Sequence, residues 1–245
     1  FKRMAVALRG SHLQYSEGRL NRWANHHYHN STLSEAMTHL MIPTYDLVVR
    51  QPHFFKSWKA QGYHPTGRET PEDRDYRIRD MVGASLAEPG LFDPKVISTR
   101  SGRRITVIDG NLFAANPSMC ALVSAQRLHD HSSAYSMLSL GTGRDEQPLS
   151  FMKARFWQPA QWHKQMLNFA IDGSQGAVSY QVDKILPQGS YVRVNPHLEL
   201  SKPVKGPDDT RPSVLRALRH AAEQEIKENT AYSAYIEELK NQVYD

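Results

Sequence analysis

The chain has 245 residues, 40% of them apolar and 22% charged, enough apolar material for one sizeable core rather than a string of tiny modules. Thirty Lys and Arg against 25 Asp and Glu give a net charge of +5, which suits an anionic partner. There is no block of five or six basic residues, no RNP-like strand and no zinc-finger spacing, so nucleic acid is not an expected partner.

No apolar run approaches the roughly 18 residues of a spanning helix. The lone Cys120 excludes an internal disulfide and any multi-cysteine zinc site, which fits a reducing compartment. The chain opens without the apolar region of a signal peptide and without an initiator Met, so Phe1 is expected to be the start of a fragment, of a processed product or of the ordered part of the chain.

In chain order, STLSEAMTHL (31–40) reads as a short helix capped by Ser31 or Thr32, with Leu33, Met37 and Leu40 at helical spacing. The β-branched and aromatic run MIPTYDLVV (41–49) predicts a strand, with Pro43 implying an edge or a bulge, and His53, Phe54 and Phe55 form its hairpin or neighbour. The polar run between Lys59 and Arg79 reads as an exposed loop leading into a helix near 76–85.

The clearest grammar lies between Arg103 and Leu128. Residues 105–108 (ITVI) predict a buried strand, Asp109, Gly110 and Asn111 a turn, and Asn116-Pro117 the start of a helix over 118–128. Residues 135–140 predict a second strand ended by Gly141-Thr142-Gly143. Strand, helix and strand in about 40 residues is the βαβ pattern of a parallel sheet, so the fold class is α/β.

Further on, residues 161–171 and 180–186 predict helices, 191–194 a short strand, and 201–212 a linker. From Ser213 to Val243 the apolar spacing predicts one or two amphipathic helices packed on the domain; Glu223, Glu225, Glu228, Glu237 and Glu238 on the polar face disfavour an anionic membrane.

Asp109 closes a predicted strand at the carboxyl edge where open α/β sheets build ligand sites, and Gly110 beside it permits close approach. Such a carboxylate can take a proton from a nucleophile on a neighbouring loop; it can equally cap an Asp-Gly turn, and spacing alone leaves both open. The histidines His26, His27 and His29 have no Cys or acidic partner at metal-ligand spacing, so no metal is expected. His129, Asp130 and His131 read as a helix end, and GTG (141–143) lacks the rest of a phosphate loop. No Gly-x-Ser-x-Gly elbow occurs, since GASLA (83–87) breaks at its last position, and no glycine-rich oxyanion loop is present.

The stretch VIDGNLFAANPS (107–118) resembles the Asp-Gly-Gly segment and Asn-Pro helix start of patatin-like phospholipases, and LSLGTG (138–143) follows at that family's distance. LMIPTYD (40–46), PHFF (52–55), GASLAEP (83–89), DGSQ (172–175) through Tyr180-Gln181, and YVRVNP (191–196) are similar to other family segments in the same order. The resemblance spans most of residues 40–200.

It implies a three-layer α/β/α lipid acyl hydrolase of phospholipase A type with a Ser–Asp dyad, needing no metal or other cofactor. Asp109 corresponds to the dyad acid, supported by Gly110 and by Asn111, which stands where the common motif has a second glycine. The serine elbow and oxyanion loop belong to the family's N-terminal part, which would precede Phe1. Residues 1–200 are then the C-terminal part of the catalytic domain, and 201–245 a linker and helical tail.

The implied partners are a membrane phospholipid or galactolipid substrate, the remaining N-terminal part of the enzyme, and an activating ligand or protein. The expected setting is the cytoplasm at a membrane surface, with a secreted effector as the alternative. The alternative to a hydrolase is a catalytically inactive, patatin-derived partner-binding module.

Overall fold

A computed structural model of the chain describes residues 17–63, 69–129, 134–144, 148–198 and 209–244. The expected linker at 201–212 therefore lies largely outside the described residues, as do Asp130 and His131. The chain divides into two compact units, Phe1–Ala115 and Asn116–Asp245.

The first unit carries α1 (Gly18–Tyr28), β1 (Met41–Asp46), β2 (Gln51–Lys56), α2 (Ser57–Ala60), α3 (Ile78–Ser85), β3 (Lys95–Ser98), β4 (Arg104–Asp109) and α4 (Asn111–Ala114). Its sheet has the order β2-β1-β4-β3, and every neighbouring pair is antiparallel. Leu33, Phe55, Tyr76, Met81, Ile97, Ile105 and Val107 form the core beneath it.

Two local expectations change here. The helix over 31–40 is reduced to a 3-10 turn at Leu33–Glu35. Tertiary partners take the groups that its later turns would pair: Gln61 Nε2 donates to the Ser34 carbonyl at 3.1 Å and the Ala36 carbonyl at 2.9 Å, and Leu40 N–H donates to Ser57 Oγ at 2.9 Å, while Leu33 N–H goes to the Tyr76 carbonyl at 2.9 Å. Leu33 is thereby buried and Met37 left in solvent.

The expected strand 41–49 stops at Asp46, because Asp46 Oδ1 accepts the N–H groups of Val48 at 2.8 Å and Val49 at 3.2 Å and folds the apolar run into the hairpin turn. Pro43 is neither on an edge strand nor at a bulge. Strand β1 is central, and Pro43 pairs with Phe54 of β2 just beyond the point where the ladder with β4 begins at Thr44. A missing N–H costs nothing on that unpaired side.

The second unit carries α5 (Ser118–Leu128), β5 (Met137–Leu140), α6 (Phe151–Arg155), α7 (Pro159–Ile185), β6 (Tyr191–Val194), α8 (Pro212–Glu228) and α9 (Thr230–Tyr244). Strands β5 and β6 are parallel, Met137 opposite Tyr191 through Leu140 opposite Val194. The predicted parallel pairing of the strands at 105–108 and 135–140 is thus replaced: β4 pairs antiparallel with β1 and β3, and the parallel partner of β5 is β6, reached through α6 and α7.

Period-two alternation gives this pair two covered faces. Met137 and Tyr191 pack with Leu122 of α5 and Val178 and Val182 of α7, whereas Leu138, Val192 and Val194 pack with Tyr232, Tyr235, Ile236 and Leu239 of α9. Helix, parallel strands and helix make an α/β/α arrangement within this unit. The two helices expected over 161–171 and 180–186 are one, α7, which runs through Gly173 and Gly176. The tail forms two helices, and it is α9 that covers β6, while Leu215 and Ile226 of α8 stay exposed.

Candidate functional site

Asp109 is the last residue of β4, where the ladder delivers it opposite Thr44 of β1. Its N–H donates to the Ala87 carbonyl at 3.0 Å, which ties the segment after α3 to the end of the strand. Three of the segments singled out in the sequence, around Thr44, Ala87 and Asp109, therefore meet at one sheet edge.

The Asp109 Oδ1 accepts the Asn111 N–H at 2.9 Å. Burial pushes the carboxyl above its ordinary value of 3.8, against the backbone N–H groups of Asn111 and Gly110, which pull it down. A carboxylate whose proton affinity is raised by burial yet steadied by N–H donors is suited to exchange a proton with a neighbouring hydroxyl.

Gly110 is required by close approach rather than by its backbone angles, since a Cβ there would overlap the Pro43 carbonyl. Asn111 begins the four-residue helix α4 with its side chain exposed. On that helix Phe113 meets Phe54 edge-on at 5.7 Å and Tyr45 at 6.4 Å, so the ground beside Asp109 is aromatic. A cavity of about 900 Å³ lies elsewhere in the first unit, between α1 and β3, and is lined by Asn21, Arg77, Lys95 and Arg100 among others, not by Asp109.

In the second unit the remaining motifs converge on a buried polar network that sequence reasoning missed. Asn116 Oδ1 accepts from Ser118 N at 3.2 Å, the start of α5, and its Nδ2 donates to Ser179 Oγ at 3.1 Å. The hydroxyls of Ser118 and Ser139 lie 2.8 Å apart, and Arg193 donates to Ser139 Oγ at 2.7 Å and to Gln175 Oε1 at 3.0 Å.

Gly141 and Gly143 hold the strand end against the chain after β6. Gly141 N–H reaches the Val194 carbonyl at 2.8 Å and Gly143 N–H reaches Asn195 Oδ1 at 3.0 Å, with Gly143 at φ +97. These glycines shape a tight exit, not a phosphate cradle. The sequence marked the segments that carry this network, at 107–118, 138–143, 172–175 and 191–196, but not the contacts between their side chains.

Among the described residues no group of three His, Cys, Asp or Glu is placed to hold a metal ion. His26, His27 and His29 stand on and just after α1, exposed, with His27 Nδ1 2.9 Å from the Trp23 carbonyl.

A mixed α/β chain with an acid at a strand end and glycine-shaped turns is the class of protein that this geometry defines. No family model matches the chain. It is similar to patatin-like protein 6 of Arabidopsis thaliana, 27% identical over 217 residues that cover 82% of this chain and 42% of the relative. Patatin-like protein 8 of the same plant is 26% identical, over 82% of this chain and 39% of its own length. A probable inactive patatin-3-Kuras 1 of Solanum tuberosum is 24% identical over 65% of this chain and 46% of its own length. These similarities support a patatin-like assignment for the chain, which spans less than half the length of these curated relatives.

Proposed function

We propose that this chain contributes the acid half of a lipid acyl hydrolase, with Asp109 as the proton acceptor of a Ser–Asp dyad whose serine is supplied by sequence outside these 245 residues. The observation that carries the reading is the position of Asp109: strand end, partly buried carboxyl of raised proton affinity, and a glycine pressed under the Pro43 carbonyl beside it. The similarity to patatin-like proteins supports hydrolase chemistry at the level of the family.

In this mechanism the serine Oγ attacks the ester carbonyl as its proton passes to Asp109. The tetrahedral intermediate then collapses, and the departing lysolipid alcohol takes that proton. Water adds to the serine ester, gives a proton to Asp109, and the fatty acid leaves as serine regains its hydrogen. The substrate is a membrane phospholipid or galactolipid, and an activating ligand or protein partner completes the reading. No metal or cofactor is needed by these steps, which would take place at a membrane surface.

The Asp109→Asn variant of the whole protein is expected to lose about 10²–10⁴-fold in ester turnover while its melting temperature stays within a few degrees of wild type. Hydrolysis retained at the wild-type rate would reject the assignment. Because the base must be ionised, wild-type turnover should rise with pH through a limb above the ordinary aspartate range, the direction that burial gives Asp109.

A second reading has specific support. Asp109 Oδ1 is engaged by the Asn111 turn, Asn111 replaces a glycine of the common motif, and one relative is named as a probable inactive patatin. On that reading the chain is a patatin-derived partner-binding module, and a wild-type protein without ester turnover is its signature.

A further inference from the structure

Most exposed large apolar side chains on this molecule stand singly or in a turn, but one stretch gathers them. Phe151 and Met152 of α6, Phe156 after it, and Trp162, Met166 and Phe169 of α7 are all between 41% and 74% exposed. Positions 162, 166 and 169 follow the i, i+4, i+7 spacing that places them on one helical stripe.

Trp157 lies edge-on to Trp162 at 5.1 Å and stacked on Phe169 at 6.4 Å, so the stripe carries an aromatic cluster. It is the C-terminal part of α7, at Val178 and Val182, that packs into the core of its unit.

Charge decides what suits this face. Helix α6 carries Lys153 and Arg155 and no Asp or Glu, and the stripe on α7 runs from Trp162 to Phe169 before the first acid of that helix, Asp172. Lys153 and Arg155 are exposed beside Phe151 and Phe156. A second copy docked two-fold on the same face would set Lys153 and Arg155 against their own counterparts with no acid on α6 to answer them. An anionic bilayer answers them directly, while Trp and Phe side chains suit the layer between head groups and acyl chains.

The helices α8 and α9, also amphipathic, carry Glu on their polar faces and lack this complementarity. No helix among the described residues is long and apolar enough to cross a membrane, so α6 and α7 would lie on the bilayer, not span it.

We infer that the apolar, basic face formed by α6 and the N-terminal half of α7 is a docking surface for an anionic lipid bilayer. The choice of occupant rests on the lipid-hydrolase reading, and the test separates the two. The full protein is mixed with vesicles of ether-linked phosphatidylglycerol or ether-linked phosphatidylcholine, which lack the ester bond, and bound protein is read by flotation.

Binding to the phosphatidylglycerol vesicles is expected, weaker by about tenfold or more on phosphatidylcholine and in 0.5 M salt. The double variant Phe156→Ser, Trp162→Ser is expected to lose about tenfold or more with an unchanged melting temperature, and Leu215→Ser, on the exposed side of α8, to bind as wild type. Wild-type protein that fails to float with phosphatidylglycerol, or a double variant that binds like wild type, overturns the inference. So does a Trp162 emission shielded from acrylamide in the lipid-free protein, which would mean that protein covers the face. If Asp109→Asn keeps full hydrolysis of ester vesicles while this binding pattern holds, the dyad falls and the docking surface stands. If hydrolysis depends on Asp109 but binding ignores the double variant, the reverse is true.

Discussion

Asp109 and Gly110 work as a pair because backbone, not side chains, crowds the turn. Gly110 has ordinary helical angles, φ −77 and ψ −8, so its replacement is penalised sterically and not by conformation. Gly110→Ala should cost about 1–3 kcal/mol by pushing β1 away from the end of β4, read as a shift in chemical or thermal midpoint; a neutral outcome would mean that Pro43 yields easily. The Asp-Gly dipeptide was legible in the sequence as a turn at a strand end. The Pro43 contact was not, since it depends on register between strands more than 60 residues apart.

His53 is the other residue whose environment sets its chemistry. It lies between Phe55 and Tyr76 at ring distances of 5.1 and 6.1 Å, and its Nε2 is buried without a hydrogen-bond partner among the described residues. Burial first, then the nearby Arg74 cation, hold its pKa down to about 4 from the ordinary 6.5.

The folded state therefore keeps His53 neutral while the unfolded chain protonates below 6.5, and stability is lost as pH falls from about 6.5 toward about 4. The loss is on the order of 2–3 kcal/mol. His53→Phe should flatten that part of the stability profile, and an unchanged slope would contradict the assignment. Asp109 acts in the opposite sense. Its raised pKa lets the folded state bind the proton more readily, so stability rises as pH falls from its folded pKa toward 3.8.

Elements were readable where local chemistry and tertiary demand agree. Asn116-Pro117 begins a helix as its residues predict, and the short strand at 191–194 has the predicted bounds. They were unreadable where a distant group took over. Gln61 takes the Ser34 and Ala36 carbonyls and Ser57 the Leu40 N–H that a helix over 31–40 would use, and Asp46 turns an apolar run that reads as strand. The sequence placed separate helices at 161–171 and 180–186, yet a Cβ at Gly173 or Gly176 would meet nothing within 4 Å, and one helix runs through both.

The parallel pair β5–β6 depends on the polar network beneath it. Ser139 is buried between Ser118 and the Arg193 guanidinium. Ser139→Ala should cost about 1–3 kcal/mol by leaving that charge and hydroxyl short of a partner, measurable as a lower denaturation midpoint. Ser139→Thr, which keeps the hydroxyl, should lose less, and equal losses would point to packing alone.

For the whole molecule, the resemblance to patatin-like proteins was legible because seven short segments occur in the family's order, and the same segments are those that meet in the structure within each unit. The curated relatives are more than twice as long as the stretch they share with this chain, so the proposed serine is sought in sequence beyond it. The net charge of +5 gave no direction to the positive excess; α6 places Lys153 and Arg155, exposed, beside the exposed Phe151 and Phe156.

The most direct test of the Ser–Asp reading is the pH dependence of fluorophosphonate labelling in the whole protein, with the labelled residue located by peptide mass. The account predicts a single labelled serine outside these 245 residues, labelling that rises with pH above the ordinary aspartate range, and its near loss in Asp109→Asn. A labelled serine within this chain, or labelling indifferent to Asp109, would contradict it.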